Sequence, residues 1–121
     1  MCSRLMAIIA VALMTLYLRD LLHIAKQQLT RPARKSSQAL INLARQNMKE
    51  GENVLRKHEK RVGMTQQRIK LNNIIDALLS LCSQAATSAP AKNIFIHMCN
   101  SMHDISVWAA NTDSHIDEKD A

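Results

Sequence analysis

Residues 5–18 read LMAIIAVALMTLYL, an apolar run that only Thr15 interrupts. As an α-helix this run spans about 21 Å, which is shorter than the roughly 30 Å hydrocarbon core of a bilayer. Arg19 and Asp20 follow, and then apolar residues resume. A segment over 5–24 therefore reaches a spanning length only if Arg19 and Asp20 neutralise each other or lie at the membrane interface.

Three interpretations of this segment stay open. It can anchor the protein in a membrane, or it can be the central helix of a soluble bundle, because apolar runs of this length are typical of buried helices. It can also be a secretory signal peptide, since Arg4 precedes the run, but no small-x-small cleavage site follows it. If the segment spans, the cations after it place the following residues in the cytoplasm by the positive-inside rule.

Composition predicts helices for the rest of the chain. Of the 121 residues, 47% are hydrophobic and only 2% are aromatic, so the core must consist mainly of aliphatic side chains, which pack well between helices. The chain has two Gly and two Pro, too few for the turns of an all-β domain. The length fits one domain. We therefore expect an all-α fold.

Local signals predict where the next helices begin and end. Thr30 and Pro32 are typical of an N-cap and a first helical turn, and they predict a second helix over 33–62. Arg61 followed by Gly63 predicts its C-terminus. This helix has a weak packing seam with steps of three and four residues, at Leu40, Leu43, Asn47, Gly51, Val54, His58 and Val62. Gly51 allows a close helix approach or marks a bend.

Two more amphipathic helices are predicted, over 65–86 and 91–110. The apolar stripe of the first comprises Leu71, Ile74, Ile75, Leu78, Leu81, Cys82 and Ala85, and that of the second comprises Ile94, Phe95, Met98, Met102, Ile105, Trp108 and Ala109. Short connections favour antiparallel neighbours, so we expect a small antiparallel bundle of three to four helices. Alternatively, the second and third helices join across Gly63 into one rod.

The chain is expected to have three parts. Residues 1–29 form the apolar N-terminal helix, as membrane anchor or core helix. Residues 30–110 form the body, a helical hairpin or bundle with coiled-coil-like packing. Residues 111–121 (NTDSHIDEKDA) are polar and acidic and predict a disordered, flexible tail.

Charge is distributed unevenly around the net value of +6. Residues 1–70 carry 14 Lys and Arg against 4 Asp and Glu, whereas residues 71–121 carry 2 against 6. This uneven distribution of charge favours docking of residues 71–121 on residues 1–70, or an anionic partner for residues 1–70. Residues 31–70 contain no aromatic side chain for base stacking and no nucleic-acid-binding motif. Because an apolar helix adjoins this stretch, the pattern favours lipid headgroups over nucleic acid; a solvated charged face is the alternative.

The residues that could carry chemistry are few. The three cysteines, Cys2, Cys82 and Cys99, do not form the pattern of a disulfide framework, which favours a reducing compartment, although a Cys82–Cys99 bridge stays open. Cys99 and His103 supply half of a zinc site, or a nucleophile and a base. The sequence shows no orienting third group, oxyanion hole or phosphate-binding loop beside them. We therefore expect no enzymatic activity, metal or cofactor.

The expected function is that of a membrane-associated helical interaction or scaffolding protein. Its apolar N-terminal helix and basic second helix engage membrane lipid or an acidic helical partner, and its body lies in the cytoplasm or another reducing compartment. The alternative is a soluble cytoplasmic four-helix module that binds protein or nucleic acid and has the N-terminal helix as its core. Self-association is compatible with both, and no small-molecule substrate is expected. The expected contact residues are Leu5, Ile8, Ile9, Leu13, Leu16, Tyr17, Arg31, Arg34, Lys35, Arg45, Lys49, Arg56, Lys57, Lys60 and Arg61.

Overall fold

A computed structural model describes the backbone of residues 2–57, 61–85 and 89–120, and the side chains of residues 5–57, 63–84, 89–90 and 92–111. The chain forms α1 (Cys2–Gln28), α2 (Arg31–Ser36), α3 (Gln38–Arg56), α4 (Arg61–Ala85) and α5 (Ala89–Asp120). These backbone ranges contain no β-strand. The predicted all-α fold is therefore confirmed, with five helices instead of three to four.

The two central helices of the bundle are α1 and α4, which contact each other and both contact α3 and α5. Thr15 of α1 lies opposite Gly51 of α3, and Lys26 lies beside Arg45, so α1 and α3 are antiparallel. Likewise, Arg68 and Asp76 of α4 contact Ser106 and His103 of α5 respectively, in antiparallel order. α3 and α4 are also antiparallel, since Val54 lies beside Gly63 and Leu43 beside Ile74. The predicted antiparallel arrangement is present, and the single rod across Gly63 is not.

One face of α1 belongs to the core. Its buried apolar residues recur every three or four positions, as on one side of a helix: Ala7, Ala10, Val11, Met14, Leu18, Leu21, Leu22 and Ala25. Each larger side chain among them contributes on the order of 1.5–3 kcal/mol to folding when it is fully buried. Leu5–Gln28 is also long and apolar enough to cross a bilayer, but a core helix or a signal sequence meets the same criterion.

The start of the second predicted helix is confirmed. The side chain of Thr30 accepts a hydrogen bond from the backbone N–H of Ala33 at 3.4 Å, and Pro32 lies in the first turn. The helix breaks at Ser37, whose backbone has φ −104° and ψ 9° and whose hydroxyl donates to the carbonyl oxygen of Ala33 at 2.5 Å. Serine hydroxyls compete in this way for backbone acceptors. One predicted helix over 33–62 is therefore two helices, α2 and α3.

The predicted C-terminus at Gly63 is wrong. α3 ends at Arg56, whereas α4 begins at Arg61 and includes Gly63. Glycine inside a helix costs about 1 kcal/mol relative to alanine, but the adjacent Met64 is fully buried in the core. Core packing therefore outweighs the local preference and extends α4 through the glycine.

The predicted inward face agrees with the observed burial best for α4. Leu71, Ile74, Ile75, Leu78 and Cys82 are buried and Leu81 is half-buried, while the side chain of Ala85 lies outside the described ones. In α5, Phe95, Met102 and Ala109 are buried and Met98 and Ile105 are half-buried, but Ile94 and Trp108 are exposed.

The predicted seam of the second helix agrees in part with α3. Asn47 and Gly51 are buried, and Leu40 and Val54 are half-buried and pack against the core, whereas Leu43 is 47% exposed. Ile41 and Ala44 are buried as well, because α3 packs against α1 and α4 together. His58 and the side chain of Val62 lie outside the described residues.

α5 is helical to Asp120 and so includes most of the segment that the sequence predicts as a tail. The flexibility of this segment stays a prediction.

Candidate functional site

The outer face of α1 carries four exposed apolar side chains, opposite its core face. Leu5, Ile9, Leu13 and Leu16 are 60%, 39%, 36% and 55% exposed. Their spacing of four, four and three residues places them in one row along the helix, named here the α1 stripe. The other two predicted apolar contact residues, Ile8 and Tyr17, are half-buried and pack against the core.

A groove between α1 and α3 continues from the α1 stripe. It has a volume of about 270 Å³ and is lined by Arg19, Leu22, His23, Lys26, Arg45, Met48 and Lys49. We name it the basic groove, because four of the seven residues are cations and none is acidic. His23 follows Leu16 by seven residues, which is two helical turns, so the stripe and the groove adjoin on the same side of α1.

The charges in the basic groove are largely uncompensated. Arg19 donates to the carboxylate of Glu52 at 2.5 Å. Lys26, Arg45 and Lys49 form no ion pair with any residue whose side chain the structure describes. The groove therefore presents a positive field to solvent that attracts anions.

The structure brings some of the predicted cations to this groove. Arg45 and Lys49 line it directly. Arg31, Arg34 and Lys35 are exposed on α2. Arg34 donates to the carbonyl oxygen of Lys26 at 3.2 Å, which holds α2 at the same end of α1.

Other predicted cations lie elsewhere. Arg56 and Lys57 are exposed at the far end of α3, beyond the basic groove. Lys60 and the side chain of Arg61 lie outside the described residues. The basic stretch of the sequence is therefore not one continuous surface, because the fold separates the groove cations from those at the α3 C-terminus.

The three polar groove residues of α1, namely Arg19, His23 and Lys26, are absent from the contact residues expected from sequence. Their steps of four and three residues place them on one helix face, so this spacing could have predicted a polar contact face on α1. The preceding apolar run instead favours the interpretation of the segment as a membrane span. Only the antiparallel packing of α3 brings Arg45 and Lys49 opposite them.

The two oppositely charged halves are not joined by ion pairs among the described side chains. The pairs present lie within one half each: Arg19–Glu52, Lys70–Glu50 and His103–Asp76. In addition, the residues that line the basic groove all belong to α1 and α3, and none belongs to α5. The groove cations therefore remain available to a partner.

A second cluster lies between α4 and α5. The Nε2 atom of His103 pairs with the carboxylate of Asp76, so the third group that the sequence did not show is supplied by the facing helix. Cys99, one turn from His103, is fully buried. Burial raises the pKa of its thiol to about 12, with smaller contributions from Cys82 and Asp76, and burial raises the pKa of Cys82 to about 11.

Thiols with such pKa values stay protonated at neutral pH and are poor nucleophiles. This arrangement therefore does not support cysteine catalysis. Cys82 and Cys99 are both free, so the bridge between them that the sequence left open is not formed. The described side chains also contain no group of three His, Cys, Asp or Glu that could hold a metal ion.

The α1 stripe and the basic groove are thus the surface features with the clearest chemistry. Exposed apolar side chains beside a groove with unpaired cations can engage a surface that is both apolar and anionic. In comparisons with known proteins, no family model matches the chain, and neither a curated protein nor a solved structure does.

Proposed function

We propose that this protein is a non-enzymatic, peripheral membrane protein that docks as an intact bundle on an anionic membrane surface. The observation that supports this proposal is the α1 stripe, a row of exposed apolar side chains on a helix whose opposite face lies in the core. Soluble proteins rarely expose continuous apolar patches unless these bind a partner or a membrane. In this proposal α1 lies along the membrane interface and does not cross the bilayer.

Keeping α1 in the bundle is favourable because its removal would expose the core. Met14, Leu18 and Leu21 are fully buried and pack in the core shared with α3, α4 and α5. Extracting them would cost on the order of 1.5–3 kcal/mol for each side chain. Spanning would recover this energy only if α3, α4 and α5 found a new partner for their apolar faces.

Two weak contributions combine in this docking mode. The α1 stripe inserts its exposed apolar area among the headgroups, and each nearby cation adds about 1 kcal/mol at an anionic surface. Stable attachment generally needs two such signals, since one alone is marginal and reversible. Lys26, Arg45 and Lys49 supply the second signal beside the stripe, because Arg19 pairs with Glu52. Asp20, which is exposed next to the stripe, opposes this attraction.

The second candidate is a soluble helical module that binds an amphipathic helix of a partner, or a second copy, on the same stripe. The central position of α1 in the bundle favours it, because a core helix needs no membrane to be stable. Helix-in-groove binding uses apolar anchors at the spacing of the α1 stripe. For either candidate, the free thiols of Cys82 and Cys99 suit a reducing compartment.

Vesicle flotation of the full chain tests the proposal. Wild type should float with phosphatidylcholine vesicles that contain phosphatidylserine and much less with vesicles that lack it. Leu16→Asp should reduce the bound fraction strongly. Leu43→Asp is the matched control, because Leu43 is a leucine of similar exposure on α3, outside the stripe.

The variants must keep the helical content of wild type. No flotation of wild type, or equal losses for the two variants, would overturn the membrane proposal. A wild-type dimer in detergent-free solution that Leu16→Asp converts to a monomer, without flotation, would assign the stripe to self-association instead.

A further inference from the structure

The basic groove has more positive charge than the fold requires. Arg45 and Lys49 are one turn apart on α3, and like charges at this spacing destabilise a helix by a few tenths of a kcal/mol. Across the groove, Lys26 adds a third cation that lacks a counter-ion among the side chains seen in the structure. An anion between the two helices would relieve the repulsion on both sides.

The types of side chain in the groove specify the anion. Arg45 provides a planar guanidinium group, which matches two oxygens of a phosphate at once, whereas the guanidinium group of Arg19 already pairs with Glu52. Lys26 and Lys49 provide mobile ammonium groups that bind phosphate as point charges. Of the four groove cations, Arg19 pairs with Glu52, and Lys26, Arg45 and Lys49 have no counter-ion among the described side chains. The groove therefore suits a ligand with several negative charges.

The size of the groove is compatible with a small, highly charged group. Its volume of about 270 Å³ lies near the lower end of the range for ligand pockets, which is roughly 300–1,000 Å³. Its apolar lining is limited to Leu22 and half-buried Met48. Recognition must therefore come mainly from charge and hydrogen bonding, and it should weaken as salt increases.

We propose that the basic groove binds a group that carries two or more phosphates, as found on a polyphosphorylated lipid headgroup or on a free polyphosphate. The lipid source rests on the proposed membrane function, whereas binding of the free polyphosphate does not. With the α1 stripe on a membrane, the adjoining groove lies at the level of the headgroups. The stripe then supplies apolar attachment, and the groove supplies selectivity among anionic lipids.

Titration of the full chain with inorganic tripolyphosphate tests the groove without a membrane. Binding measured by calorimetry should be tighter than that of inorganic phosphate. The double variant Arg45→Gln with Lys49→Gln should weaken it by about tenfold or more, which corresponds to 1.4 kcal/mol or more. The control is Arg56→Gln with Lys57→Gln, which removes the same charge from the far end of α3 and should change affinity by less than about twofold.

Lys26→Gln on the facing helix is an independent variant and should also weaken binding. Absence of tripolyphosphate binding by wild type, or equal losses in the groove variant and in the control variant, would overturn the inference. Leu16→Asp should still bind tripolyphosphate, so failure of the membrane proposal leaves this result unchanged.

Vesicles then distinguish the two sources. Vesicles with a polyphosphorylated inositol lipid are compared with phosphatidylserine vesicles of equal total charge. Stronger recruitment by the former, which is lost in the groove variant, assigns the lipid headgroup as the source. If both kinds of vesicle recruit the protein equally and wild type still binds tripolyphosphate, the ligand of the groove is a free polyphosphate.

Discussion

The hydroxyl oxygen of Thr15 on α1 lies 2.6 Å from the position that a Cβ atom would take on Gly51 of α3. Thr15 is buried, and its hydroxyl donates to the carbonyl oxygen of Val11 at 2.7 Å, which limits its rotation. The side-chain nitrogen of Gln67 on α4 is 3.5 Å from the same position. Three helices therefore meet at Gly51, and any side chain there would push α1 and α3 apart.

Gly51→Ala should destabilise the bundle. Alanine favours a helix interior by about 1 kcal/mol relative to glycine, but overpacking a core typically costs about 1–3 kcal/mol. We expect the steric cost to dominate, because the atom in conflict belongs to a short, hydrogen-bonded side chain. Chemical denaturation of Gly51→Ala and wild type measures the difference in free energy of unfolding.

A double-mutant cycle identifies the cause of this loss. Thr15→Ala removes the conflicting oxygen, so the Thr15→Ala, Gly51→Ala variant should be more stable than the sum of the single effects predicts. A coupling free energy of about 0.5–3 kcal/mol is expected for residues in contact. Additive effects would show that the two residues do not meet.

Leu18→Asp should unfold the protein, whereas Leu16→Asp should not. Leu18 is 0% exposed and Leu16 is 55% exposed. An unpaired carboxylate at Leu18 costs several kcal/mol, a large part of a typical total stability of about 5–15 kcal/mol. Far-UV circular dichroism measures the helical content of both variants. Equal helicity would contradict the assignment of α1 as a core helix with a free outer face.

Gln67→Ala should weaken the contact between α3 and α4. Its buried side-chain amide donates to the carbonyl oxygen of Asn47 at 2.9 Å. Its removal leaves that acceptor without this donor and creates a cavity, and we expect a loss of about 1–3 kcal/mol in thermal or chemical denaturation. Gln66→Ala is the matched control, because Gln66 is exposed and such changes usually stay within about 0.5 kcal/mol. Similar losses for both variants would contradict the buried hydrogen bond.

Cys82 and Cys99 should resist alkylation in the native state and react after denaturation. At pH 9.0 an ordinary cysteine is half ionised, but burial raises the pKa of these thiols to about 11 and about 12. Mass spectrometry after treatment with iodoacetamide, with and without denaturant, measures the modification of each site. Rapid labelling of Cys99 in the native protein would contradict its burial.

The same shifts predict a loss of stability at alkaline pH. A folded pKa above the ordinary value of 9.0 means that the folded state holds the proton more tightly than the unfolded state. The resulting stability is complete below pH 9 and is lost as pH rises through the folded pKa values of about 11 and 12. The slope is at most about 1.4 kcal/mol per pH unit for each thiol. Denaturation of wild type and of Cys82→Ala, Cys99→Ala across this range should show a smaller pH dependence for the variant.

The sequence determined the features of this protein that arise from local patterns. A composition rich in aliphatic residues and poor in Gly and Pro indicated helices, and Thr30 with Pro32 indicated the start of α2. The apolar stripe of α4 indicated its inward face correctly, because a single strong apolar period determines which side of the helix faces the core. These properties depend on residues that are close in sequence, so they can be read without a tertiary structure.

The tertiary structure decided what depends on distant neighbours. The same apolar run fits an anchor or a core helix by length and hydrophobicity, and only its packing against α3, α4 and α5 divides it into a core face and the α1 stripe. The basic groove exists because an antiparallel α3 brings Arg45 and Lys49 opposite Lys26. Which side chains are buried and which charges lie close together depends on contacts between helices. The apolar period of one helix therefore cannot predict either property.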